Sequence, residues 1–92
     1  MNNINSRALE ILEKSLLSNP ALEKKTGIRK ETWANVRLKK NRFNEDHIEA
    51  IVKLWPQYAY WLTTGKTLPE CGQISPEIEE IRNKQNLLTG TN

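Results

Sequence analysis

The sequence predicts an all-α domain: five short helices around one modest core, with an additional helix at the C-terminal end. Three observations carry this expectation. Apolar residues recur at helical spacing as Ala8, Leu9, Leu12 and Leu16, and again as Ile48, Ile51, Val52 and Trp55. Helix starts punctuate the chain at Asn19-Pro20, Asn44-Glu45-Asp46 and Ser75-Pro76-Glu77, where a side chain able to accept from an orphan amide precedes a proline or first-turn acids. Gly27 and Gly65 stand where helices should stop, because glycine adopts the positive φ that ends a helix.

The elements follow in order. Asn5 or Ser6 caps a first helix that runs to about Ser18, with Ile11 and Leu17 widening its apolar stripe. Asn19 caps a second helix of two turns that Gly27 ends. Ile28 then drops into the core and sets the angle of the third helix, whose inner face carries Trp33 and Val36. Arg29, Lys30, Glu31, Thr32 and Asn35 are left on its outer face, all capable of hydrogen bonds. A fourth helix starts at Asn44, and Pro56 ends it or begins the fifth, which carries Tyr58, Tyr60, Trp61 and Leu62 up to Gly65. Trp55, Tyr58, Tyr60 and Trp61 together exceed what a small core easily hides, though most are expected to be core.

From Lys66 to Ile74 the composition shifts to Pro69, Gly72 and small polar residues, which reads as a linker. The chain therefore divides into a domain over residues 1–66 and a linker with an amphipathic helix over 67–92. Ile78, Ile81 and Leu88 line one side of that last helix. The stripe must be buried on its own domain or against a second copy, and a dimer contact is the preferred reading.

Charge is unevenly placed. Between Lys24 and Arg42 eight cations face a single acid, Glu31, for a net +7, whereas the rest of the chain holds six bases and ten acids, a net −4. A basic element on an acidic body is the footprint of a phosphate-binding face. A short helix, a tight glycine-containing turn and a second helix with a polar outer face is also the form whose second helix enters the DNA major groove.

Other classes recede. Ninety-two residues make one small domain without room for a large catalytic cleft. Cys71 is the only cysteine, so neither an internal disulfide nor a cysteine-rich zinc site is expected. His47 is the only histidine, and among Glu45, Asp46 and Glu49 on an expected helix surface it reads as structural. No paired nucleophile and base, phosphate-cradling loop or metal cluster is visible, so no enzyme activity, cofactor or metal is expected. No apolar run approaches the roughly 18 residues of a membrane span, and no signal segment opens the chain, so a cytoplasmic site is expected.

Leu22-Glu23-Lys24-Lys25-Thr26-Gly27-Ile28, followed by Trp33 and Val36 and then by Tyr60-Trp61-Leu62-Thr63-Thr64-Gly65, resembles the phage repressor and Cro class of helix-turn-helix proteins, the Xre-like or lambda repressor-like family. The resemblance covers residues 6–66. It implies base reading by Lys30, Glu31 and Asn35, with Arg29 and Thr32 at the edge of that surface. Chemically, Asn35 suits adenine, Arg29 and Lys30 suit guanine, Glu31 can accept from a cytosine amine, and the Thr32 methyl can meet thymine. Lys24, Arg37, Lys39, Lys40 and Arg42 are the expected phosphate contacts, together with the start of the helix at Asn19. The chain departs from the family in having Glu23 where a small alanine is usual, and Lys39 and Lys40 where a glycine usually follows the third helix.

The implied function is a small phage-type repressor, a homodimer on a pseudo-palindromic double-stranded DNA operator, with Tyr58, Tyr60, Ile78, Ile81 and Leu88 as dimer candidates. The alternative is an antitoxin that holds a toxin, or another regulatory protein, as well as DNA.

Overall fold

Side-chain caps open four of the described helices. The computed structural model describes residues 3–88, with residues 87 and 88 described by their backbone. Among these residues all regular structure is helical apart from one isolated antiparallel bridge between Leu68 and Gln73. Six α-helices run as α1 (Ile4–Ser15), α2 (Asn19–Thr26), α3 (Lys30–Arg37), α4 (Glu45–Leu54), α5 (Ala59–Thr64) and α6 (Pro76–Leu88), with short 3-10 turns at Pro56–Tyr58 and Pro69–Cys71.

The first helix starts earlier than the sequence suggests. Asn3 accepts from the Ser6 amide at 2.9 Å while Ser6 Oγ accepts from the Asn3 amide at 2.9 Å, a reciprocal capping box. Asn5 turns away to accept from the Phe43 amide at 2.9 Å, tying α1 to the segment before α4. The helix also ends early. Ser15 Oγ donates to the Leu12 carbonyl at 2.6 Å and accepts from the Leu17 amide at 3.2 Å, a local turn that competes with further helix. Leu16, expected in the buried stripe, instead takes φ 61° and is 90% exposed.

Ser18 rather than Asn19 caps α2, accepting from the Ala21 amide at 3.2 Å. Asn19 and Pro20 follow as its first two residues. Gly27 ends the helix at φ 78°, its amide donating to the Glu23 carbonyl at 2.8 Å. The Thr26 hydroxyl donates to the Leu22 carbonyl and accepts from the Ile28 amide, so the turn toward α3 is held from inside.

One apolar core joins the elements: Ala8, Ile11 and Leu12 of α1, Leu22 of α2, Trp33 and Val36 of α3, Ile51 of α4, and Tyr58, Trp61 and Leu62 around α5. Ile74 belongs to the same cluster, which corrects the reading of residues 66–74 as a free linker. Gln73 secures this segment by accepting from the Tyr60 amide at 2.9 Å and donating to the Pro56 carbonyl at 3.1 Å, while the Ile74 amide reaches the Gln57 carbonyl at 2.9 Å. Packing therefore continues across the boundary drawn at residue 66.

The last helix folds back on its own chain. Tyr58 Oη donates to Glu79 Oε2 at 3.0 Å, Lys14 Nζ meets Glu80 Oε1 at 3.1 Å, and Ile78 packs on the core. Burial, with the Glu79 carboxylate beside it, pushes the Tyr58 phenol up to about 12. Tyr58 is thus an internal contact rather than a dimer candidate, because docking of α6 covers it, while Ile78 is half-buried against the core. Tyr60 is half-buried, Ile81 is 49% exposed, and the Leu88 side chain lies outside the described residues.

Arg7 is the unexpected interior residue. Only 8% exposed, it donates from Nε to the Leu62 carbonyl at 2.9 Å, meeting a carbonyl that α5 leaves open in its last turn. Gly65 ends α5 at φ 79°, and a Cβ there would lie 3.3 Å from Arg7 Nη1. At Gly27 a Cβ would meet nothing within 4 Å. Gly27→Ala should therefore cost roughly 1–2 kcal/mol, the left-handed backbone penalty alone, and Gly65→Ala measurably more, as read from urea unfolding midpoints.

Candidate nucleic-acid interface

The outer face of α3 is defined by what holds its inner face. Trp33 is 0% exposed and Val36 nearly so, with Ile28 packed on the same core just before the helix. With two residues three apart fixed inward, the residues on the opposite side of the helix and its first turn are turned out. Arg29, Lys30 and Glu31 are exposed, and Thr32 and Asn35 are half-buried at the margins. Arg29 Nε and Glu31 Oε1 lie 3.7 Å apart, a loose solvent-exposed pair that constrains neither.

The end of α3 is built without glycine. Lys39 takes φ 62°, its amide donating to the Val36 carbonyl at 3.2 Å, and the Lys40 amide donates to the Asn35 carbonyl at 2.9 Å. This pair of bonds is a Schellman closure with lysine in the left-handed position. The closure turns the chain sharply and leaves Lys39, Lys40 and Arg42 exposed just beyond α3, with Lys24 exposed on α2. Among the described residues Lys24, Lys30, Lys39, Lys40 and Arg42 make no ion pair, so five cations stand free beside this face.

Arg37 is the correction to the phosphate set. Its Nη2 donates to the Leu17 carbonyl at 2.6 Å and to the Leu12 carbonyl at 3.4 Å, while its Nε is buried. The guanidinium holds the α1–α2 connection against α3 and does not face solvent as a free cation. Asn19 is half-buried with its Oδ1 shut from solvent, which leaves the Asn19 amide as the group at this helix start, since Pro20 has no N–H and the Ala21 amide is held by Ser18 Oγ.

Thr32 is also engaged internally, through His47. The imidazole is 3% exposed, not on a helix surface as the sequence suggests. It stacks at a tilt on Trp33 with ring centroids 4.7 Å apart and meets Phe43 edge-on at 5.9 Å. Its Nδ1 accepts from the Asn44 amide at 3.3 Å, completing a capping box in which Asn44 Oδ1 accepts from the His47 amide at 2.9 Å. An accepting Nδ1 places the neutral ring's proton on Nε2, 3.4 Å from Thr32 Oγ1, and that hydroxyl donates to the Arg29 carbonyl at 2.7 Å. A chain of polar contacts thus runs from the start of α4 to the start of α3. The spacing Asn44-x-x-His47 carried the signal, since the third helical residue of a capping box turns back toward the cap.

Burial lowers the His47 pKa, against a smaller opposing pull from Asp46. The fold therefore favours the neutral ring. Its contribution to stability is complete above the unfolded value of about 6.5 and is lost as pH falls below that toward the lowered folded value. Thermal melts should show stability declining as pH drops below about 6.5, and His47→Gln should be less stable near neutrality with that part of the decline removed.

No protein-family model and no curated protein matches the chain. Among solved structures, that of Pf6r from the filamentous phage Pf6 of Pseudomonas aeruginosa PA01 superposes with a TM-score of 0.75 at 33% sequence identity, over 83% of this chain and 97% of Pf6r. With a third of the aligned residues identical across almost the whole of that phage protein, this chain belongs to the same family as Pf6r.

Proposed function

We propose that this chain is a sequence-specific double-stranded DNA-binding regulator, a small phage-type repressor of the lambda repressor-like helix-turn-helix kind that acts as a homodimer. The observation that carries this reading is α3 itself. Its inner face is locked by Trp33 and Val36, its outer face offers Arg29, Lys30, Glu31 and Asn35, and unpaired cations flank it on both sides. Kinship with a phage protein supports the same direction.

The mechanism has two parts. Lys24, Lys39, Lys40 and Arg42, with the Asn19 amide at the start of α2, neutralise and position phosphates, which gives an attraction that weakens as salt rises. Base edges are then read by α3. Asn35 offers the paired donor and acceptor that match adenine, Lys30 and Arg29 match guanine, and Glu31 accepts from a cytosine amine. Thr32 contributes only its methyl at the edge, because its hydroxyl is committed to the Arg29 carbonyl. One such helix covers few bases, so selectivity calls for two copies on half-sites about one DNA turn apart. On this reading the chain binds and does not catalyse.

Gel-mobility titration with duplex DNA from upstream of its own gene, alongside scrambled duplex, tests the assignment. Lys30→Ala with Asn35→Ala should keep the melting temperature and lose the preference for the specific duplex, each residue being worth on the order of 1–3 kcal/mol. Preference unchanged in that double variant would defeat the reading. Lys39→Ala with Lys40→Ala should weaken both duplexes alike and reduce the slope of log K against log salt by about 0.9 for each phosphate no longer neutralised. Arg37→Ala should instead lower the melting temperature, since it unties the carbonyls of Leu12 and Leu17.

A further inference from the structure

A groove runs between α2 and α4. Two hollows of about 300 and 240 Å³ meet at Lys25 and Leu54, which line both. The floor is apolar, formed by Leu17, Ile28, Leu54 and Trp55, all only partly covered by the rest of the chain. The rim carries Lys25 and Lys53 against Asp46 and Glu49, two charges of each sign. A balanced rim around an apolar floor is unsuited to nucleic acid and suited to protein.

Leu16 stands beside this groove, between Ser15 and Leu17, which line its second hollow. It is the most exposed large apolar side chain among the described residues, at 90%, and it occupies a left-handed backbone position that glycine would fill more easily. Among the described residues almost nothing covers the leucine. A projecting apolar side chain next to an apolar hollow is a knob and a hole on one surface, the arrangement that a two-fold contact requires, since each copy must supply both.

The charges on α4 agree. Asp46 and Glu49 lie toward its start and Lys53 in its last turn. Two copies of α4 brought together antiparallel by a two-fold axis set Lys53 of one opposite Glu49 of the other, whereas a parallel arrangement would oppose like charges. The surfaces that the sequence suggested for pairing are in part already closed, because Tyr58 and Ile78 bind α6 to its own chain.

From these features we infer that the α2–α4 groove is the homodimer interface, with Leu16 of each copy seated in the groove of the other and Lys53 paired with Glu49 across the two-fold. The inference rests on the proposed function in giving its dimer a surface, and its test uses no DNA, so that the surface can fail while the assignment of α3 to DNA stands.

Sedimentation equilibrium of the full chain over a wide concentration range should show a monomer–dimer equilibrium. Leu16→Gly should weaken the dimer at least tenfold while keeping or raising the melting temperature. Glu49→Lys should weaken it comparably by facing Lys53 of the other copy, and Glu49→Lys combined with Lys53→Glu should restore it. A wild-type chain that stays monomeric at every concentration, or a dimer indifferent to all three variants, would overturn the inference. Loss of sequence preference in Lys30→Ala with Asn35→Ala tests the DNA reading separately, with the dimer intact.

Discussion

Burial of Trp33 is the constraint on which the rest of this molecule depends. A buried tryptophan removes on the order of 150–250 Å² from water, worth roughly 4–6 kcal/mol at the usual 25 cal/mol per Å². Among the described residues its Nε1 has no hydrogen-bond partner, an omission that costs about 1–3 kcal/mol and that the burial outweighs. Because Val36 is buried on the same face, α3 cannot rotate without opening the core. The outward direction of Lys30 and Asn35 is a consequence of that restraint and needs no separate device. His47 extends it, since the ring that stacks on Trp33 also closes the cap of α4.

Two arginines show how a charge count and a charge distribution differ. Arg7 and Arg37 both deliver guanidinium groups to main-chain carbonyls near helix ends, Arg7 to Leu62 and Arg37 to Leu12 and Leu17. Such bonds join segments distant in sequence, and a charged donor strengthens them. The positive field beside α3 is therefore carried by Arg29 and the lysines, and by Arg42 on the turn beyond the helix that a left-handed Lys39 closes. Long flexible cations on a sharp turn can follow a phosphate backbone, whereas the fixed guanidinium of Arg37 cannot.

The surface of the chain divides by chemistry. One face is cationic and hydrogen-bonding, the α2–α4 groove is apolar with balanced charge, and the side around α5 is covered by α6 and the segment that leads to it. That segment reads as a linker from its proline, glycine and small polar residues, yet Gln73 and Ile74 bind it to the 3-10 turn and to α5. Turn composition describes local backbone preference only. It is silent on whether a turn is then held in place.

By itself the sequence determined the helical class, the order of the helices, most of the buried apolar stripe and the outer face of α3. All of these follow from periods and caps that act within a few residues, as with Trp33 and Val36 or with Asn44 and its acids. Tertiary structure alone decided the direction of Arg7 and Arg37, the burial of His47, the exposure of Leu16 and the docking of α6. Each of those depends on a partner from another segment: the Leu62 carbonyl lies 55 residues from Arg7, and Tyr58 lies 21 from Glu79. A side chain with both an apolar stem and a polar end can satisfy either environment, so only the neighbours that folding brings can choose between them.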